Sequence, residues 1–396
     1  MRFGLNRIDR VGVVVALIAA YGLVAPFALF RANRIVQGEG RSLFSALPPS
    51  LGAILLVLSA IAIVMALLRL PLFLKLLASL VMLAVLAFAI GNAAGFLTPE
   101  GNNYARVSPG SGFWLLSAAF ALLATDCLAR LRPPPWMRIA ILTAIIAAIA
   151  FVLASGLWDG LSILKEYSSR ADTFWLEAGR HVTLALGSLA VAAVVGIPLG
   201  ILCHRVEPAR SAILNLLNIV QTIPSIALFG ILIGPLSWVA ANVPGAADLG
   251  IRGIGMAPAF LALFLYSLLP MVANTVGGLA GVPAEANDAA RGVGMTDRQR
   301  LTQVELPLAF PVILTGIRIV LVQNIGLATI AALIGGGGFG VFVFQGLGQT
   351  AMDLVLLGAV PTVTMAFAAA VILDAIVELV APANAGSGTG RKEATA

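Results

Sequence analysis

The sequence predicts an all-α, polytopic transmembrane helical bundle of about ten spans, and three observations carry that prediction. Of the 396 residues, 60% are hydrophobic and 11% charged, and the mean hydropathy is +1.02. That is more apolar surface than a water-soluble fold can cover with polar residues, so lipid is the expected solvent. The apolar residues gather into ten runs, most of them near the ~20 residues a helix needs to cross about 30 Å of hydrocarbon. Helices are required there because backbone polar groups in lipid must pair within their own segment.

The runs follow in order. Arg2, Arg7 and Arg10 precede the first, residues 11–30, in the manner of a signal peptide. The run is long enough to span, and no small-x-small cleavage site in it is followed by a plausible mature start, so an uncleaved first span is expected. Runs 49–68 and 71–95 form a hairpin separated only by Arg69 and Leu70, with Lys75 just beyond. Runs 113–129 and 138–158 complete a first group, with long outer loops expected at 31–48 and 96–112. A second group holds 181–203, 212–236, 254–280, 309–334 and 354–380. The predicted organisation is a five-span region over 1–170, a five-span core over 171–382, and a disordered tail over 383–396, rich in Gly, Ala and Thr. No internal repeat is evident, which argues against an inverted-repeat carrier.

Basic residues orient the bundle. With the N-terminus inside, sixteen of the 24 Lys and Arg residues fall on cytoplasmic segments and eight on outer ones, which places both termini in the cytoplasm. Trp114, Trp136, Trp158, Trp175 and Trp238 all lie at or just beyond run ends, where an amphipathic ring sits at headgroup level. The net charge of +6 does not point to nucleic acid, because the bases are scattered between spans. Cys127 and Cys203 have no ligand cluster around them, so neither a metal nor a disulfide is expected. His181 and His204 read as span-end residues facing headgroups or loops. Gly335–Gly340, GGGGFG, satisfies a dinucleotide pattern only formally, since no strand precedes it; a re-entrant turn or tight outer loop is expected instead. No phosphate-binding G-x-x-x-x-G-K-[ST] occurs, so no cofactor is expected in the chain and no ATP hydrolysis by it.

The most informative stretch is the polar, Arg-rich island Val282–Arg318 between two apolar runs. Pro283 suits a first helical turn, and Glu285 and Asp288 lie near the positive end of that helix. Ala289 and Ala290 give it a slim face. Gly294 fits a left-handed helix end, and Thr296 with Gln299 has capping-box spacing that restarts a second helix. Arg298 and Arg300 are expected to keep the segment in water, and Leu306-Pro307 to end it before the next span. The predicted shape is a two-helix plug that docks into another protein.

Asp288-Ala289-Ala290-Arg291-Gly292-Val293-Gly294, followed by Leu306-Pro307, resembles the EAA loop of permease subunits of bacterial ABC importers. In that family the loop inserts into a cleft of the ATPase subunit and carries its closure to the membrane helices. The resemblance implies a MetI-like permease core in the C-terminal half, with Glu285, Asp288, Ala289, Ala290, Arg291, Gly294, Leu306 and Pro307 as the ATPase-coupling residues. The family's usual Glu is Asp288 here, and Glu285 lies three residues earlier, so either carboxylate can fill that role. Gln221–Gly230 and Ala328–Gly335 resemble the osmoprotectant (glycine betaine, choline, carnitine) permeases. Asn33-Arg34, Gly38–Arg41 and Gly110–Trp114 resemble the YehY type of that family. Implied partners are ABC ATPase subunits that bind the ATP, a second, paralogous permease, an outer solute-binding protein, and the lipid of a bacterial inner membrane.

Asn215, Asn218, Thr222 and Ser225 recur at helical spacing and are expected on one face of the seventh span. Helix–helix hydrogen bonding is the plainer reading, and a lining for a small polar solute is the functional one. Gln323, Asn324 and Thr329 on the ninth span are further lining candidates. Pro224 and Pro270 predict kinks within spans. Two alternatives stand beside osmoprotectant import. An ABC permease for amino acids or another small solute shares every motif. An ion-coupled secondary transporter would keep ionisable groups in mid-span, whereas Asp126, Asp353, Asp374 and Glu378 all lie toward run ends.

Overall fold

Proline and arginine bound the apolar runs, and the computed structural model, which describes residues 9–33, 36–99, 101, 102 and 104–380, folds nearly all of them as helices. Among the described residues nine helices are long and apolar enough to cross a membrane. The chain forms two compact units, 1–134 with 143–170, and 135–142 with 171–396. The predicted tail at 383–396 lies outside the described residues, as do Arg34 and the bases at 2, 7, 391 and 392.

The first unit holds α1 (Arg10–Val24), β1 (Ala28–Arg31), β2 (Glu39–Arg41), α2 (Leu43–Ala46), α3 (Pro49–Leu67), α4 (Leu72–Leu97), β3 (Arg106–Pro109) and α5 (Ser111–Leu131). It also takes residues 143–154 of α6 (Pro135–Ala154) and all of α7 (Ser162–Ser168). The expected first span is shorter than the run. Ala25 precedes Pro26 and is extended (φ −68°, ψ 157°), so α1 closes after 15 residues. The chain beyond it, with parts of both expected outer loops, forms a three-stranded antiparallel sheet in the order β2-β1-β3. Its register pairs Ala28 with Arg41 on one side and with Pro109 on the other. Phe27, Leu47, Leu55, Met82, Leu86 and Phe120 fill the core of this unit.

Asp9 caps α1, accepting the Val11 N–H at 3.1 Å. Its other carboxylate oxygen meets Lys75 Nζ at 2.8 Å. Lys75 is only 1% exposed, and its ammonium also donates to the Ala66 carbonyl at 3.0 Å. Burial tends to raise the Asp9 carboxyl, but the hydrogen bond and charge of Lys75, with Arg130 beside it, hold the group below its ordinary value.

The second unit holds α8 (Ala171–Arg205), α9 (Glu207–Thr222), α10 (Ser225–Asn242), α11 (Met256–Ala280), α12 (Ala284–Gly292) and α13 (Asp297–Arg300). A π-turn over Leu301–Glu305 leads into α14 (Leu306–Ala328), followed by a 3-10 turn at Ile330–Ile334, α15 (Gly340–Gly348) and α16 (Met352–Val380). Glycines let helices approach here: a Cβ on Gly200 of α8 would lie 2.5 Å from Thr275 Cβ on α11. The seventh run is two helices rather than one kinked span. Ile223 ahead of Pro224 is extended (ψ 127°), which ends α9 and lets Pro224 cap α10. Pro270, by contrast, sits inside an unbroken α11.

Candidate functional site

Local chemistry builds the island from its caps. Pro283 (φ −56°, ψ 135°) is the cap itself, one position ahead of the helix, and Glu285 falls in the first turn of α12. The helix ends in a Schellman motif. Gly294 adopts φ +81°, its N–H donates to the Arg291 carbonyl at 2.9 Å, and the Met295 N–H donates to the Ala290 carbonyl at 3.0 Å. A side chain on Gly294 would meet open space, so the positive φ alone is what favours glycine there. The capping box then restarts the chain: Gln299 N–H donates to Thr296 Oγ1 at 3.3 Å, and Thr296 N–H to Gln299 Oε1 at 2.9 Å.

The two short helices present one face outward and anchor the other. Glu285, Asp288, Ala289, Arg291, Gly292 and Gly294 are exposed, and Val293 is 76% exposed. Ala290 is buried at 5%, and Val282, Leu301 and Leu306, which flank the two helices, pack against an apolar floor of Leu279, Ala309 and Ile313. Pro307 is exposed.

Two expectations for this region need correction. Leu306-Pro307 does not end the segment, because helical backbone runs without a break from Asp297 to Ala328. The π-turn makes this feasible. Its wide loop, closed by Leu306 N–H donating to the Leu301 carbonyl, falls immediately ahead of Pro307, where the ring and the missing N–H would otherwise interrupt an α-helical ladder. Nor does Arg300 sit in water. Arg300 Nε donates to Glu305 Oε1 at 2.9 Å, and its guanidinium also meets Asp297 at 3.0 Å. Glu305, 3% exposed, takes a second bond on Oε2 from Arg205 at the end of α8, at 2.5 Å. The island is thereby tied to α8 and α14 together. Arg205 and Glu305 carried no helical signal in the sequence. Arg300 and Glu305 stand five residues apart, a spacing that faces one side only in a π-turn.

The expected lining residues separate. Asn215, Asn218 and Thr222 are exposed on α9, but Ser225 opens α10 and does not share their helix. Gln323 and Thr329 are half-buried. Asn324 is wholly buried, its amide donating to Ser188 Oγ and Ser267 Oγ, each at 2.9 Å, so it joins α14 to α8 and α11. The break at Pro224 is held by Tyr266, whose hydroxyl donates to the Ile223 carbonyl, while Gln221 Nε2 donates to the Tyr266 carbonyl at 2.9 Å. The carbonyl freed where the helix stops thus finds a partner within protein.

His181 also departs from expectation. It is fully buried: Nδ1 accepts the Phe339 N–H at 3.3 Å, which leaves Nε2–H to donate to the Ile325 carbonyl at 3.0 Å. With Glu177 Oε2 accepting the Gly338 N–H at 2.6 Å, it pins the glycine-rich turn, where Gly335, Gly337 and Gly338 all have positive φ. Cys127 and Cys203 are buried free thiols.

Residues 9–164 match the family described as ABC transporter permease YehY, N-terminal domain, and residues 196–385 match the binding-protein-dependent transport system inner membrane component family. The osmoprotectant import permease protein OsmW of Salmonella typhimurium is 41% identical over 180 residues, which is 46% of this chain and 79% of that protein. OsmY, an osmoprotectant import permease protein of the same organism, is 40% identical over 55% of this chain and 86% of its own length. The choline transport system permease protein OpuBB of Bacillus subtilis is 37% identical over 47% of this chain and 78% of its own length. An inward-facing structure of the MetNI methionine ABC transporter overlays with a TM-score of 0.44 at 21% identity, covering 54% of this chain and 96% of that one.

Proposed function

Because this chain belongs to the family of permease subunits of ABC importers of the osmoprotectant type, we propose that it forms part of the path by which glycine betaine or a related quaternary ammonium solute crosses the inner membrane. As a member of that family it is a membrane-embedded subunit of a larger importer, and in this reading ATP hydrolysis falls to its partners. The carrying observation is the construction of the island. A slim outward face on α12 closes in a Schellman turn, a capping box opens the second helix, and that helix is continuous with α14.

In this reading the outward face of α12 enters a cleft of an ATPase subunit. Ala289 and Gly292 allow close approach there, while Glu285, Asp288 and Arg291 supply charge around the contact. Closure of the ATPase pair on ATP then moves α12 and α13, and the Arg205–Glu305–Arg300 bridge passes that movement to α8 while the π-turn passes it to α14. Exposed Asn215, Asn218 and Thr222, with Ser225, Gln323 and Thr329, offer weak and replaceable contacts to a polar solute. The buried Asn324 supports the wall behind them.

Residues 171–382 make up the permease core, 1–170 a separate five-span region, and both termini lie in the cytoplasm. A paralogous second permease completes the path. A binding protein outside delivers the solute, and an aromatic cage in that protein selects for the quaternary ammonium group through cation–π attraction. The test is purification of the native complex, identification of its subunits and of the ligand held by its binding protein, and uptake by reconstituted vesicles carrying Ala289→Arg. Loss of ATPase association and of ATP-driven uptake is the expected result. Wild-type uptake by this variant would reject the docking reading.

A further inference from the structure

One end of the first unit carries a basic cleft that the importer reading leaves unused. The start of α1, the α3–α4 connection and the end of α5 converge around a cavity of about 500 Å³, lined by Asp9, Arg10, Arg69, Leu70, Leu72 and Arg130. A volume of that order suits a small ligand group. Its single carboxylate is already occupied, because buried Lys75 meets Asp9 at 2.8 Å. Arg130 spans Asp9 at 3.4 Å and Asp126 at 3.0 Å and keeps 42% of its side chain exposed. Arg10 and Arg69 are exposed and make no ion pair among the described residues. Among the described residues Arg10, Arg69 and Arg130 line the cleft against Asp9, and with buried Lys75 and Asp126 beside them four cations stand against two carboxylates. Apolar surface adjoins the cleft directly: Leu68, just past α3, and Phe73, Leu74 and Leu77 on α4 are 43%, 67%, 42% and 49% exposed.

We propose that the Arg10–Arg69–Arg130 cleft holds the phosphate of an anionic phospholipid headgroup, with the acyl chains lying along the exposed apolar face of α4. Guanidinium groups match phosphate oxygens in charge and in planar, two-pronged geometry. A freely soluble phosphate would use the same arginines but would gain nothing from the neighbouring leucines and phenylalanine. The lipid satisfies both halves of the surface. It would also complete the end of the unit at which Asp9 ties α1, α4 and α5 together, and its binding needs neither ATP nor a transported solute.

The experiment is native mass spectrometry of the full chain released from detergent, titrated with phosphatidylglycerol, phosphatidylcholine or inorganic phosphate. The expected result is retention of phosphatidylglycerol over phosphatidylcholine. A surface charge near an anionic headgroup is worth roughly fivefold in affinity. Arg69→Gln should therefore weaken retention about fivefold and Arg10→Gln with Arg69→Gln about twenty-fivefold, while Arg252→Gln in the other unit leaves it unchanged. Neither Arg10 nor Arg69 is packed or paired, so the variants keep their fold, which an unchanged melting temperature in lipid-free detergent verifies. Equal retention of the two lipids, retention insensitive to the double substitution, or displacement of the lipid by inorganic phosphate at comparable concentration would each overturn the proposal.

Discussion

Two glycines two residues apart in the polar island should respond to the same substitution with opposite signs. Gly294 holds φ +81°, and a Cβ there meets nothing within 4 Å. Gly294→Ala therefore carries no steric contact penalty beyond its own backbone, and the left-handed conformation costs roughly 1–2 kcal/mol for a residue with a Cβ. The loss of unfolded-state freedom returns about 0.4–1 kcal/mol, leaving a net weakening near 1 kcal/mol. Gly292 closes α12 in helical conformation, and its Cβ position is equally open. Gly292→Ala should stabilise the helix by about 1 kcal/mol. Each change corresponds to roughly a fivefold shift in the open population of the turn. Hydrogen exchange of the purified chain reads it at one amide, since Met295 N–H donates to the Ala290 carbonyl across the motif. Protection of Met295 should fall about fivefold in Gly294→Ala and rise by a similar factor in Gly292→Ala. Equal protection in both variants, or a shift of the same sign, would refute the account of the turn.

Three further outcomes follow from other parts of the molecule. Glu305→Gln leaves Arg205 and Arg300 without their shared carboxylate, so ATP-driven uptake in proteoliposomes should fall about tenfold or more while Glu305→Asp keeps part of it; uptake within twofold of wild type would remove the bridge from the mechanism. Gly200→Val drives a side chain into Thr275 and should destabilise the second unit by about 1–3 kcal/mol, seen as a lower melting temperature, whereas Gly277→Ala, with open space at its Cβ, should not. The Asp9 carboxyl is held below its ordinary value of 3.8, so its stabilisation is complete above that pH and is lost as pH falls through the lower folded value. Thermal melts from neutral to strongly acidic pH should show that acid limb in the wild type and a diminished one in Asp9→Asn.

Much of the architecture was legible because it rests on local quantities. Run length and apolar content mark the spans, since a helix in lipid satisfies its backbone from within. The Schellman glycine at 294 and the Thr296–Gln299 box need only neighbours a few residues away, and both are legible in the sequence. The exposed face bearing Glu285, Asp288 and Ala289 follows from the same local helix. Pro224 was visible as a break of some kind, but a kink and a full stop look alike until the partner of the freed Ile223 carbonyl is known, and that partner is Tyr266 on another helix.

What the order of residues settled, then, is which stretches form apolar helices and where the island turns, because capping, φ preference and apolar length act over a few neighbours; the stops at Ala25 and Ile223 and the passage through Pro307 were not settled that way. What only three-dimensional packing decided is which charges lie inside. Arg300 read as a solvated residue because burying a lone guanidinium is unfavourable; the Glu305 carboxylate reverses that balance and is itself shared with Arg205, 100 residues before it in sequence. His181 and the glycine-rich turn meet across 158 residues, and Lys75 and Asp9 across 66. The sheet joins strands drawn from both expected loops. In each case the favourable term belongs to a pair, and it comes into being only once folding has brought the two members within hydrogen-bonding reach.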